Sequence, residues 1–146
     1  MRLRLAVRAA ILDAWGRLLV VNAYPGAQSD LWCLPGGGVE ADQSLSQNLS
    51  REVAEETGLS ITVGAPILVN EFHSDAHGFR QVDLVFRATV IGDAIVRMGD
   101  PEGVVDRFRW VTQTELARLR HKPSSLADAV WGGGEALHDP DELIVA

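Results

Sequence analysis

Three carboxylates, Glu52, Glu55 and Glu56, stand at positions i, i+3 and i+4, a spacing that puts them on one side of a helix. Like charges so placed repel by a few tenths of a kcal/mol. Anions near a helix C-terminus also oppose the macrodipole, by roughly 0.3–1 kcal/mol each. A hard divalent cation bound by several carboxylate oxygens relieves both costs, and the donor type suits Mg²⁺ or Mn²⁺. Arg51 can offset part of the charge and hold one carboxylate in place. For three acids alone, a solvated acidic helix end explains the pattern equally well. The preceding Pro35-Gly36-Gly37-Gly38 favours the cation, because glycines let bare backbone approach the same helix from the side.

The helix that must position these groups is legible. Leu45, Leu49 and Val53 recur every fourth residue as one apolar stripe. Asp42 or Ser44 can cap its start, and Gly58 sits where a helix stops in the left-handed conformation. At roughly 100° per residue the carboxylates lie next to the apolar stripe, at the edge of the buried face and not out in bulk water.

Read from Gly37, the chain supplies Gly37, Gln43, Arg51, Glu52, Val53, Glu55, Glu56, Gly58 and Leu59. This resembles the Nudix box, G-x5-E-x7-R-E-U-x-E-E-x-G-U with U a bulky apolar residue. One defined position departs: Gln43 stands where the family has its first glutamate. Trp32-Cys33-Leu34-Pro35-Gly36-Gly37-Gly38 resembles the family's lead-in, and Trp110-Val111-Thr112-Gln113-Thr114-Glu115-Leu116 resembles its last strand and helix start.

Composition bounds the rest. At 146 residues the chain is expected to form one domain over 1–146, burying about two-thirds of its unfolded surface, with a flexible tail from about residue 132. Apolar content of 47% and charge of 23% are ordinary for a soluble globular protein. Net charge is -7, from 20 acids against 13 Lys plus Arg, which disfavours long nucleic acid but not a nucleotide held through a metal. Cys33 is the single cysteine, so no disulfide framework or cysteine zinc site is expected. It reads as a small packing residue. No apolar run of about 18 residues and no leader pattern appears, so a cytoplasmic location and no membrane partner are expected.

Along the chain, Arg2 to Leu12 reads as a strand, amphipathic at first and then buried on both sides. A turn at Asp13–Gly16 returns it as a hairpin with Arg17–Val21. Trp15 reads as a partly exposed cover residue. Asn22 to Leu31 is a loop, with Tyr24 and Trp32 able either to stack on a base or to pack in the core. Ile61–Val63 and Ile67–Val69 read as strand with a bend at Gly64-Ala65-Pro66. Glu71–Gly78 reads as turn, with His73 and His77 as surface loop histidines. Gln81–Val90 is a further strand pairing with the preceding one. A second loop spans Gly92–Asp106. Then come a strand at Arg107–Val111, a Thr112/Glu115 capping box opening a helix to about Arg120, and a short helix from Ser124 or Ser125 to about Trp131. Leu143-Ile144-Val145 is expected to dock on a neighbour or partner subunit.

These elements make an α/β chain with a mixed β-sheet. The resemblance implies a Nudix α/β/α sandwich with a loop-helix-loop catalytic motif, and metal-dependent hydrolysis of a nucleoside diphosphate linked to another moiety. It implies Mg²⁺, with Mn²⁺ able to substitute. Glu52, Glu55 and Arg51 form the expected catalytic set, Arg51 orienting a glutamate. Gly36, through its backbone carbonyl, and Glu52, Glu55, Glu56 and Glu102 are the expected metal ligands. Glu102, held between Pro101 and Gly103, represents the acidic residue that the family often places outside the box; Asp106 is its rival. The base is open among Glu52, another acid of the box and Glu102. Gln43 keeps size and hydrogen bonding but not charge, and is expected to loosen metal binding without abolishing it. The alternative function is a nucleotide- or metabolite-binding domain with little turnover. The family's proline marker for ADP-ribose, its tyrosine marker for dinucleoside polyphosphates and its longer NADH motif are not found. A small nucleotide-type diphosphate is therefore the expected partner, and a homodimer is one the family allows.

Overall fold

The computed structural model describes residues 2–139 and, beyond them, the strand Glu142–Leu143. Its centre is β1 (Arg2–Ile11), whose segment Ala6, Val7, Ala9, Ala10 and Ile11 is wholly buried, as a strand covered on both faces must be. The other strands are β2 (Leu18–Asn22), β3 (Trp32–Cys33), β4 (Gly36–Gly38), β5 (Ile61–Ser74), β6 (Phe79–Val90), β7 (Phe108–Val111), β8 (Leu137–His138) and β9 (Glu142–Leu143). The helices are α1 (Leu45–Thr57), α2 (Gln113–Ala117) and α3 (Leu126–Trp131).

The large sheet runs β4-β1-β6-β5-β8, with β9 also on β5. It is mixed: β1 runs parallel to β6, and β5 parallel to β8 and β9, while β1–β4 and β5–β6 are antiparallel. A second antiparallel sheet runs β3-β2-β7. On one face of the large sheet Val7, Ala9, Ile11 and Ala88 pack against Leu49, Val53 and Leu59 in and just after α1. On the other face Ala10, Leu68 and Val85 meet Leu18, Val20 and Val111 of the small sheet and Leu116, Leu126 and Val130 of the short helices. This is an α/β/α sandwich. No described helix is long and apolar enough to cross a membrane.

Four sequence expectations change here. The Asp13–Gly16 turn exists, but β1 and β2 share only the bridge Leu12–Leu18 and then part into different sheets. All five residues of β2 are buried, so its partners must lie in a sheet covered on both sides. Leu3 and Leu5, expected to be the buried side of the early strand, are 73% and 40% exposed, because the apolar cover of Leu49, Val53 and Leu59 takes in Val7, Ala9 and Ile11 and not the start of β1. Glu71 to Ser74 is strand and not turn: β5 stays in register with β6 to Ser74–Phe79, leaving only residues 75–78 to turn. Helix α2 stops at Ala117, short of Arg120: the Arg118 and Leu119 N–H groups bond only three residues back, to the Glu115 and Leu116 carbonyls, tightening the last turn, and the Arg120 carbonyl and Lys122 N–H then bond Trp32.

Other local readings stand. The bend at Pro66 is a pair of register shifts within β5. Thr112 and Glu115 form the capping box of α2. Ser125 precedes α3, although its hydroxyl donates to Asp139 and not to the helix. Trp15, by contrast, read as partly exposed, is 81% exposed, with the Arg17 guanidinium over its ring. Leu143 lies in β9; Ile144 and Val145 lie outside the described residues.

Candidate active site

Helix α1 begins at Ser44, whose hydroxyl accepts the Gln47 N–H while the Gln47 side chain accepts the Ser44 N–H. It ends at Gly58 with φ 71°, in the left-handed region that glycine fills without strain. Leu49 and Val53 are fully buried, which fixes the rotation of the helix. Its acidic rim then faces β4 and a cavity of about 610 Å³.

That cavity brings the expected site residues together. Gly36, Arg51, Glu52, Glu55, Glu56 and Glu102 all line it, although they come from β4, α1 and the loop after β6. Asp106 does not line it and pairs with Arg107 instead. Asp100 lines it, but its carboxylate accepts the N–H groups of Glu102, Val104 and Val105, and so shapes the turn that presents Glu102. Tyr24 lines the cavity, whereas Trp32 packs on the core. His73 and His77 are not among the lining residues; His77 bonds the Ser74 hydroxyl in its turn.

The acids are graded by burial. Glu56 is 6% exposed, and one carboxylate oxygen accepts the Gly36 N–H at 3.3 Å. Burial, opposed by the Arg8 charge, pushes its carboxyl up to about 8. Burial also raises Glu52, against the pull of Arg51. Arg51 Nη1 reaches Glu52 at 3.4 Å and Glu55 at 3.3 Å. Its Nε donates to Gln43 at 3.0 Å and its Nη2 to Asn48 at 3.2 Å. The guanidinium thus links the departing box position to two of the acids.

A Cβ at Gly36 would clash with the Val7 carbonyl and stand 2.9 Å from Arg8 Cα, so this glycine allows β4 to approach β1. At Gly37 the missing side chain leaves room for the Glu52 carboxylate, which a Cβ would meet at 2.8 Å.

Sequence reading missed four residues of the site. Arg8 donates to the carbonyls of Leu34 and Gly36 and pairs with Asp83 at 3.5 Å. Asp83 and Glu56 hold the Arg8 charge despite burial, which works against it. Gln81 donates to Asp83 at 2.6 Å and accepts from Arg4. Asn22 pins both loops, donating to the Tyr24 and Val104 carbonyls and accepting from the Asp106 and Arg107 N–H groups. The signal for Arg8 and Asp83 was present: each is a lone charge inside an otherwise apolar run.

The donor set suits a hard divalent cation. Carboxylate oxygens are crowded on one rim, two of them desolvated, beside backbone carbonyls. Among the described residues no three such groups converge as a finished metal site; Arg51 occupies the space between Glu52 and Glu55.

Comparison with known proteins agrees with this layout. A "MutT-like protein" of Streptomyces ambofaciens is 30% identical over 97% of this chain and 87% of its own. A "CTP pyrophosphohydrolase" of Escherichia coli K12 is 48% identical over a shorter stretch, 40% of this chain and 44% of its own. The fold matches the crystal structure of a MutT NUDIX hydrolase from Burkholderia pseudomallei with a TM-score of 0.74, at 23% identity, over 90% of this chain and 99% of the other. The NUDIX domain family model matches residues 2–129, nearly the whole described fold and the acidic helix within it, and the chain therefore belongs to the NUDIX family.

Proposed function

We propose that this protein hydrolyses the diphosphate linkage of a small nucleotide, with Mg²⁺ as its ion and Mn²⁺ as a substitute. The observation that carries the reading is the Glu56 carboxyl. It is buried, touched by one N–H, and raised to about 8 on the wall of an open cavity. A buried carboxyl so poorly satisfied costs stability unless a cation joins it. The resemblance of part of the chain to a CTP pyrophosphohydrolase supports a nucleoside polyphosphate as substrate.

Glu52, Glu55 and Glu56, with the Gly36 carbonyl and Glu102, are the groups that would hold the ion. When bound, it supplies charge neutralisation at the phosphate oxygens and acidifies water. The chain's residues do the positioning. Arg51 holds Glu52 and Glu55 at a common distance, and the Asp100 turn presents Glu102 toward Glu52. We assign Glu52 as the base: burial raises its carboxyl, and its side chain, 19% exposed, is open to a water in the cavity, whereas Glu56 is buried. Its carboxylate oxygen takes the proton of the attacking water as the new P–O bond forms and the bridging P–O bond breaks. The same reading places the protein in the cytoplasm, acting on a small molecule and neither long nucleic acid nor membrane.

One observation favours the alternative of a binding domain with little turnover: Gln43 replaces a charged residue where Arg51 is anchored. A panel of nucleoside triphosphates, sugar nucleotides, ADP-ribose and dinucleoside polyphosphates, assayed for phosphate and pyrophosphate release with Mg²⁺ and Mn²⁺, separates the two. Metal-dependent turnover lost in Glu56→Gln supports the hydrolase. Bound metal and nucleotide without turnover anywhere in the panel supports the binding domain.

A further inference from the structure

The cavity has a second end. Away from α1 it is bounded by one face of the large sheet, where β5 and β6 set Asn70 opposite Asp83 and Phe72 opposite Gln81. Phe72 and Phe79 meet edge to face at 6.5 Å and give this end an apolar wall. Most polar groups here already have partners: Gln81 binds Asp83 and Arg4, and Asp83 also faces Arg8. Asn70 is different. It is 4% exposed, it lines the cavity, and its Oδ1 is buried with no hydrogen-bond partner. An orphaned buried acceptor costs free energy that a ligand donor can recover.

We propose that Asn70, opposite Asp83, forms a recognition subsite for a nucleobase bearing an exocyclic amine. This rests on the reading of the α1 end as the diphosphate site and specifies what the other end takes. Two acceptor side chains stand on adjacent strands, and an amino group has two hydrogens to give. Asn matches an amine beside a ring-nitrogen acceptor, and a carboxylate accepts from the cytosine amine. A base with a keto oxygen at the same position would set acceptor against acceptor and leave the buried Asn70 oxygen unpaired. The aromatic wall takes the ring without regard to its identity.

The test compares kcat/KM within two substrate pairs that differ in amine against keto oxygen, CTP with UTP and ATP with ITP. Wild-type protein and Asn70→Ala are compared, with equilibrium binding of the same nucleotides in parallel. The wild type should favour the amine-bearing member of at least one pair by about tenfold or more. Asn70→Ala should bring that ratio close to one, acting mainly through KM, with thermal stability retained or increased. Turnover without preference in either pair, or a preference unchanged in Asn70→Ala, would overturn the subsite while leaving the hydrolase intact. No turnover of these four, nor of any other nucleotide in the wider panel, but amine-selective binding lost in Asn70→Ala, would support the subsite and overturn the hydrolase.

Discussion

The Gln43 side-chain oxygen accepts a 3.0 Å hydrogen bond from Nε of Arg51, the same guanidinium that holds Glu52 and Glu55. The family's first glutamate is thus replaced by a residue that keeps the contact and loses the charge. A neutral anchor leaves more of the guanidinium's pull to Glu52 and Glu55, the oxygens an ion would need. Gln43→Glu should draw Arg51 back and tighten Mg²⁺ binding by about two- to fivefold, the range of a partly exposed ion pair. Isothermal titration of both proteins measures it, and unchanged affinity would show that the anchor's charge is immaterial.

Gly36 and Gly37 are adjacent and should fail in opposite ways. A side chain at Gly36 meets the backbone of Val7 and Arg8 at φ 148°, so Gly36→Ala should destabilise the fold by about 2 kcal/mol or more. A side chain at Gly37 meets only the movable end of Glu52. Gly37→Ala should keep its urea midpoint and lose at least about tenfold in kcat, since small misplacement of a catalytic group is costly. Denaturation curves and turnover measured on both variants distinguish the two outcomes.

How much of this was legible follows from what is local and what is not. The apolar stripe, Ser44, Gly58 and the three acids of α1 interact within a few residues, so their spacing carried the helix and the rim. The split of β1 and β2 between two sheets depends on Trp32, Phe108 and Val111, which are remote in sequence. The strand through Glu71–Ser74 was hidden for another reason. Asn70, Gln81 and Asp83 are polar yet buried on the cavity wall, and Ser74 is buried where it bonds His77, which erases the apolar alternation that marks a strand. The same polarity concealed the second end of the site. Helix α2 ends earlier than its pattern predicts because the pairing of residues 120 and 122 with Trp32, remote in sequence, is invisible in the Leu116–Arg120 pattern.

The raised Glu56 carboxyl makes stability depend on pH in the metal-free protein. Its folded value of about 8 lies above the ordinary 4.5, so the folded state holds a proton that the unfolded chain releases. The contribution is complete below about pH 4.5 and is lost as pH rises through 8. Glu52 shifts in the same direction. Asp13 and Glu115 are lowered, so their changes fall at acid pH, outside this window. In EDTA, the urea midpoint should therefore fall between pH 5.5 and 8.5, by an amount on the order of 3 kcal/mol in unfolding free energy. Glu56→Gln should flatten the dependence, and Mg²⁺ should restore stability chiefly at the alkaline end.

Arg8 and Asp83 are 3.5 Å apart with side chains 21% and 9% exposed, and they join β1 to β6 beneath the glycine strand. Removing one member leaves the other charge buried without its partner, at a cost of about 3 kcal/mol. Arg8→Leu should show that cost, together with slackening of the Leu34 and Gly36 carbonyls that its guanidinium holds. Asp83→Asn removes the opposing charge and keeps an acceptor for the Gln81 amide. Adding it to Arg8→Leu should recover roughly 1–2 kcal/mol, the signature of coupled neighbours in a double-mutant cycle. Additive losses would mean instead that Arg8 stabilises the fold through the Leu34 and Gly36 carbonyls. In that case Mg²⁺ affinity should fall in Arg8→Leu and stay low in the double variant.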